Sequence, residues 1–227
     1  MPAPSSSHAT MHQIFALLFA ALLALTASAQ SSFPEIETRA AALEALEHVD
    51  ARYRAAGVMY LGRTGLAADG PLLVSRFSDE HPVVRDLAQQ SVWRVWSRSG
   101  DAQTDQLLDT GVKEMEAGLY AEAIQTFSSV IKRKPDFAEG WNKRATALFL
   151  AGDLRKSLAD CDEVMKRNPQ HFGALSGYGQ IYLRLEEYQR SIEYFRRALE
   201  VNPNLTDLEI VIRAIEERLR DKGQRSI

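Results

Sequence analysis

The sequence is poor in cysteine and has no excess of basic residues. Cys161 is the only cysteine among 227 residues, which excludes an internal disulfide and a zinc site built from several thiolates. Lys and Arg total 27 against 30 Asp and Glu, with 8 basic and 9 acidic residues in 30–100 and 19 and 21 in 101–227. Because neither part offers the basic face that phosphate binding needs, we expect no nucleic-acid partner.

Residue sets that carry out catalysis or hold cofactors are also scarce. The nearest approach to a metal site is His48 with Asp50 and Asp79 with His81, but no third histidine lies close to either pair in the sequence. No glycine-rich phosphate loop follows a strand, because no strand pattern is found. The sequence therefore predicts no catalytic residue, no metal and no cofactor, with an enzyme carrying an unrecognised N-terminal site as an alternative.

Charged residues are absent from the first 29 positions. Ile14 to Ala24 form an apolar run that ends in small residues of the A-x-A type, which predicts a secretory signal peptide cleaved after Ala29 and a periplasmic or secreted protein. The region before the run has no Lys or Arg, and translation from Met11 instead of Met1 is an open alternative. Left uncleaved, the segment would anchor the chain to a membrane, although the run is short for a span.

The chain does contain a repeat of 34 residues between Thr104 and Leu205. Residues of similar kind recur at this step in seven rows, which are Pro135/Pro169/Pro203, Leu107/Trp141/Leu175, Gly111/Ala145/Gly179, Tyr120/Leu154/Tyr188, Ala123/Ser157/Ser191, Phe127/Cys161/Phe195 and Val130/Val164/Ala198. Seven rows in phase indicate tandem repeats. The position of Cys161 in an apolar row favours a small buried hydrophobe over a nucleophile.

Each unit contains two apolar patterns of helical period, separated by a short turn at Gly118, Gly152 or Glu186. The rows of small residues allow the two helices to approach closely, and the proline closes the unit because it cannot continue a helix. Such a hairpin cannot bury its apolar face alone, so neighbouring units must stack.

The units resemble the tetratricopeptide repeat family. Signature positions of that family are matched in the second unit by Trp141, Ala145, Leu148, Gly152, Val164 and Pro169, and in the third by Gly179, Tyr182, Tyr188, Phe195, Ala198 and Pro203. The resemblance implies an all-α, right-handed solenoid of helical hairpins with units 104–137, 138–171 and 172–205. Residues 206–227 are expected to form a capping helix and a tail.

Residues 30–100 resemble a HEAT-like repeat region. Val84 to Ala88 follow an Asp-x-x-Pro turn, and Tyr53 to Ala56 look like a weaker copy 31 residues earlier, with Leu61 echoing Val92. A plain helical N-terminal cap is the alternative. Either arrangement is expected to pack onto the first tetratricopeptide unit.

The resemblance implies that the first helices of the units line a concave groove that binds another protein. The groove candidates on this basis are Asp105, Leu108, Asp109, Val112, Glu139, Asn142, Lys143, Thr146, Gln180 and Arg184. The family's best-known clamp for a terminal carboxylate is not matched, because Leu108, Val112, Gly173 and Gly177 occupy its places.

Taken together, these features predict an exported, non-catalytic interaction module that binds a peptide or helix of an envelope partner. A self-associating scaffold subunit, using Trp93 and Trp96 or an open end of the array, is the alternative. Contact with a membrane is expected only if the N-terminal segment stays uncleaved.

Overall fold

The computed structural model describes residues 33–224, and every element in that range is helical. The predicted signal peptide and its cleavage after Ala29 lie outside the described residues. The helices pack into one compact unit that begins at Ile36. The helices are α1 (Arg39–Leu46), α2 (Ala51–Thr64), α3 (Gly70–Val74), α4 (Pro82–Trp96), α5 (Ala102–Glu116), α6 (Tyr120–Arg133), α7 (Ala138–Leu150), α8 (Leu154–Arg167), α9 (Phe172–Arg184), α10 (Tyr188–Val201) and α11 (Thr206–Gln224), with 3₁₀ turns at Ala67–Asp69 and Ser75–Ser78.

Helices α5 to α10 form three hairpins that stack in sequence order, as the 34-residue period predicts. The turn inside each hairpin has a left-handed residue at the same repeat position, with φ of 77° at Gly118, 86° at Gly152 and 58° at Glu186. At each turn the following amide closes the first helix with a bond to the carbonyl five residues back, as Glu187 does to Tyr182. The three turns are therefore one conformation repeated.

Replacing Glu186 with glycine is expected to raise the free energy of unfolding by about 0.5–1 kcal/mol. The left-handed conformation costs an L-residue more than the backbone entropy that glycine loses on folding. Chemical denaturation measures the change. Glu187→Gly is the matched control, because Glu187 has a φ of −83° and gains nothing from glycine; a gain at 187 equal to that at 186 would contradict the explanation.

The small residues of the repeat hold the two helices of a hairpin together. Ser157 on α8 donates its hydroxyl to the carbonyl of Ala145 on α7 at 2.7 Å, and Ser191 on α10 donates to Gly179 on α9 at 2.8 Å. All four residues are buried. A side chain that bonds directly to a neighbouring helix backbone requires close approach, which explains why two rows of the repeat contain only small residues.

The N-terminal helices carry a second repeat with a step of 31 residues. Arg54 Nη1 donates to the carbonyls of His48 and Val49, and Arg85 Nη1 donates in the same way to Asp79 and Glu80. The side chain of residue 48 or 79 accepts the backbone amide two residues further on in both copies. These matching bonds support the HEAT-like interpretation of this region.

The N-terminal region contacts the turns between units rather than the first unit alone. Trp96 stacks on His171 with ring centroids 4.5 Å apart, and Phe77 contacts Phe172 edge to face at 5.6 Å. Near the last turn, Asn204 Nδ2 donates to the carbonyl of Phe77 at 2.8 Å. The sequence predicted packing on the first unit, which Lys134 contributes through its bond to Ser99. It did not predict the contacts with the later turns, because these long-range contacts leave no periodic trace in the sequence.

The N-terminal region also contacts the turn after the first unit and the turn after the third unit. Lys134, in the first turn between units, donates to the carbonyl of Ser99, and Asn202 Nδ2 donates to Gln89 Oε1 at 3.1 Å in the last. Trp96 is only 4% exposed in this packing, which removes it from the surface that self-association through tryptophans would use. In the segment expected to form a capping helix and a tail, helix α11 extends from Thr206 to Gln224.

Candidate functional site

A crevice between the first helices of units two and three is the strongest candidate for a binding site. Its volume is about 40 Å³, and we call it the α7–α9 crevice. It is lined by Asn142, Ala145, Thr146, Phe149, Ser157, Cys161, Gly173, Ala174, Gly177, Gln180 and Ile181. Residues four apart on α7 and three apart on α9 face it, because those spacings return a helix to the same side.

Three of the residues predicted from the sequence meet in this crevice: Asn142, Thr146 and Gln180. Arg184 lies beside it, where Nη1 donates to the carbonyl of Phe149 at 3.1 Å and the guanidinium stacks over the Phe149 ring. Gly173 and Gly177 also line the crevice. The sequence had marked these glycines only as places where a carboxylate clamp is missing.

The structure corrects two candidate residues. Leu108 is buried in the core of the first unit, and Glu139 is buried beneath His171, so neither can touch a partner from the groove. Both were assigned from helical position alone, which shows neither that Leu108 packs into the core of its own unit nor that His171 covers Glu139.

The other candidates of the first unit lie apart from the α7–α9 crevice. Asp105 accepts the Ser99 amide at 2.7 Å and so fixes the start of α5. Asp109 is exposed and pairs with Lys113 at 2.6 Å, and Val112 is partly buried against the first-unit core. Whether they bind a partner stays a prediction.

A buried polar chain connects the N-terminal region to the α7–α9 crevice. The His171 ring, stacked on Trp96, contacts Glu139 through Nε2 at 3.0 Å from Oε2. The same Oε2 accepts the side-chain amide of Asn142 at 3.1 Å, and Lys143 Nζ lies 3.2 Å from Oε1 as an ion pair. Asn142 in turn lines the crevice. No signal in the sequence pointed to His171.

Glu139 is ionised in this chain. Burial alone would raise the pKa of Glu139, but the hydrogen bond from His171 and the charge of Lys143 outweigh it, so the pKa lies below its usual value. A group whose pKa is lowered by folding stabilises the fold above its unfolded pKa and loses that contribution as the pH falls.

The thiol of Cys161 is not activated as a nucleophile. Burial, reinforced by Asp160 and Asp162, raises the pKa of the Cys161 thiol to about 12, so the thiolate needed for nucleophilic attack is not formed at neutral pH. Within residues 33–224, no group of three or more His, Cys, Asp or Glu side chains is placed to hold a metal ion. No helix of the same range is long and apolar enough to cross a bilayer.

A second and larger cavity, of about 510 Å³, separates the N-terminal region from the turns between units. Its lining includes the apolar residues Pro71, Trp96 and Phe137 and the buried pair Glu139 and His171. Both members of that pair are buried and bonded to each other through Glu139 Oε2, and the other carboxylate oxygen, Oε1, is paired with Lys143 at 3.2 Å.

Stacked helical hairpins with a crevice between their first helices define a helical-repeat protein. Models described as tetratricopeptide repeats match residues 108–164 and 172–205, which agrees with the resemblance found in the sequence. A model described as a HEAT repeat associated with sister chromatid cohesion matches residues 71–89 and 199–223. These two segments are distant in sequence but touch through Asn204 and Phe77.

Curated relatives share the repeats but are longer. A TPR repeat-containing protein of Rhizobium etli is 36% identical over 108 residues, which cover 48% of this chain and 53% of that protein. The Hsp70-Hsp90 organizing protein of Triticum aestivum is 22% identical over 157 residues, 69% of this chain and 26% of that protein. The chain thus spans about half the length of the first relative and about a quarter of the second.

Solved structures confirm the fold of the repeat part. The first TPR of Spaghetti (RPAP3), bound to an HSP90 peptide, has a TM-score of 0.50 and 25% identity, covering 53% of this chain and 96% of that one. The Sgt2 TPR domain from Aspergillus fumigatus has a TM-score of 0.51 and 17% identity, covering 55% and 83%. The second likeness is one of fold alone.

Proposed function

We propose that this chain is an exported, non-catalytic interaction module that holds a peptide or helix of another envelope protein against the α7–α9 crevice. The observation that carries the proposal is the convergence of Asn142, Thr146 and Gln180 on one crevice between stacked hairpins. The Spaghetti domain, which has the same fold, is bound to a peptide. Export rests on the apolar, uncharged N-terminal segment with its A-x-A ending.

The physical basis of binding is a preformed surface. A stacked array buries its own apolar faces and leaves the first helices side by side. The groove is therefore ordered before binding, and only the partner loses conformational entropy. Polar side chains on the crevice wall supply hydrogen bonds, and Phe149 supplies an apolar contact. The N-terminal region touches both turns between units and the turn that follows the third unit, and so keeps the hairpins in register.

The substitution Gln180→Arg tests the site. Gln180 is exposed on α9, and a longer cationic side chain there would fill the crevice without entering the core. We expect pull-down of an envelope partner to fall at least about tenfold, which corresponds to roughly 1.4 kcal/mol of binding free energy. Gln125→Arg, an exposed glutamine on α6, is the matched control and should leave recovery unchanged.

The same pull-down tests the compartment. A partner recovered from the envelope fraction and absent from the cytoplasmic fraction is the expected result. Equal loss of partner in both variants would place the binding surface elsewhere, and a partner found only in the cytoplasm would contradict export.

A further inference from the structure

We propose that His171 and Glu139 are positioning residues that turn the carboxamide oxygen of Asn142 toward the α7–α9 crevice. This inference deepens the proposed function and rests on it. The occupant it implies is an internal, extended stretch of polypeptide that donates a backbone N–H to Asn142, rather than a chain end that offers a carboxylate.

The orientation of Asn142 follows from the bonds of His171. The Ala174 amide donates to His171 Nδ1 at 3.0 Å, so that nitrogen carries no proton and the proton of the neutral ring sits on Nε2. Nε2 then donates to Glu139 Oε2. Because Oε2 of an ionised carboxylate only accepts, Asn142 must face it with its amide nitrogen.

The amide oxygen of Asn142 is consequently the end left for a ligand. Among residues 33–224, no donor bonds to Asn142 Oδ1, and this oxygen does not belong to the buried unsatisfied atoms. Asn142 lines the crevice, so the free acceptor is available from there. Thr146 adds a second acceptor, because its hydroxyl hydrogen is already donated to the carbonyl of Asn142.

The charge of the α7–α9 crevice argues against a carboxylate ligand. Of the side chains that line it, none is ionised at neutral pH. Arg184 and Lys143 lie outside the lining, where they contact Phe149 and Glu139 respectively. A carboxylate among these lining residues would lose its hydration with no cation in the lining to replace it, whereas a backbone N–H is fully satisfied by one acceptor.

Of the two glycines that line the crevice, Gly173 is required by packing, because a Cβ there would lie 2.6 Å from the Trp93 ring, whereas Gly177 has no such reason. A Cβ atom at Gly177 would lie 3.7 Å from Cys161 Sγ, an ordinary contact, so no neighbouring atom forces a glycine there. Glycine at this position instead keeps the crevice open to a main chain that approaches the helix closely.

The positioning of Asn142 is tested without a ligand. In full-length protein with ¹⁵N-labelled histidine, nitrogen NMR should show His171 protonated at Nε2 alone, and the Asn142 side-chain amide should exchange slowly with solvent. In Glu139→Gln, which keeps the shape but removes the charge, that exchange should become at least about tenfold faster. A His171 proton on Nδ1, or unchanged Asn142 exchange in the variant, would overturn the positioning role.

The ligand class is tested with two synthetic octapeptide libraries, one with free carboxylate ends and one with amidated ends, by affinity selection on the full chain. We expect the same sequences from both, and a weakening of about tenfold when the backbone amide that contacts Asn142 is N-methylated. Gly177→Ala should weaken every selected peptide while Gln125→Arg should not.

Recovery from the carboxylate library alone would overturn the internal-segment inference but leave the proposed function standing. Recovery from neither library would contradict both the ligand class and the proposed function, while the NMR result would still decide the role of His171 and Glu139. The two failures are therefore distinguishable.

Discussion

Replacing Gly179 with alanine lowers the free energy of unfolding by about 1–3 kcal/mol, the range found for overpacked cores. A Cβ atom on Gly179 would lie 2.4 Å from two ring carbons of Phe195, and that ring is only 1% exposed. The Phe195 ring has no room to move, because the Ser191 hydroxyl donates to the carbonyl of Gly179 and so holds α9 close against α10. The added methyl must push the two helices apart.

Gly177→Ala is the matched control, two residues away on the same helix. Its Cβ would meet only Cys161 Sγ at 3.7 Å, so the variant gains helix propensity of up to about 1 kcal/mol without a clash. Chemical denaturation followed by circular dichroism should therefore move the two variants in opposite directions. If Gly179→Ala were as stable as the parent, the close approach inferred from the rows of small residues would be refuted.

The repeat could be predicted from sequence because its determinants are local. Each hairpin turn, each closing proline and each small residue recurs at a fixed step, so its position follows from counting. The turn at Glu186 was located this way even though no glycine marks it, and the structure adds that its backbone is left-handed. The all-helical fold of this part followed directly.

The details of the candidate site could not be predicted in the same way. Glu139 occupies a groove position on α7, but its exposure depends on His171 from the next unit and, through it, on Trp96 from the N-terminal region. Those partners are 32 and 43 residues away in sequence, and no period connects them. Helical position placed Asn142 and Gln180 correctly in the crevice and could not show which neighbours were covered.

The HEAT-like region was harder to recognise, because its two copies share a pattern of hydrogen bonds more than a pattern of residues. His48 and Asp79 both accept the backbone amide two residues further on, although one side chain is an imidazole and the other a carboxylate. The arginine that follows each turn, Arg54 or Arg85, is the same residue in both copies.

Replacing Arg54 with methionine should lower the free energy of unfolding by about 3–5 kcal/mol, the cost of leaving one partner of a buried ion pair alone. Arg54 and Asp79 are 8% and 4% exposed, and the guanidinium donates Nε and Nη2 to the two carboxylate oxygens at 2.8 and 2.9 Å. Without Arg54, the Asp79 charge stays buried, and the carbonyls of His48 and Val49 lose their donor.

The exposed pair two residues earlier supplies the control. Arg52 binds Asp50 at 2.6 Å, but its side chain is 58% exposed, so Arg52→Met should cost less than about 1 kcal/mol. The deficit of Arg54→Met should also depend on pH. Burial would raise the pKa of Asp79, but the bonds from Arg54 and the His81 amide keep it below its usual value, so the parent loses this stabilisation as acid is added.

In the Arg54→Met variant the shift in the pKa of Asp79 has the opposite sign. The pKa of Asp79, buried without its arginine, rises above the usual value of about 4, so protonation relieves the variant while it weakens the parent. The stability difference between the two proteins should therefore narrow as the pH is lowered from 7 toward about 4, and Asp79→Asn added to Arg54→Met should recover part of the loss at pH 7. A difference that stays constant over that range would mean that lost packing, rather than an uncompensated carboxylate, destabilises the variant.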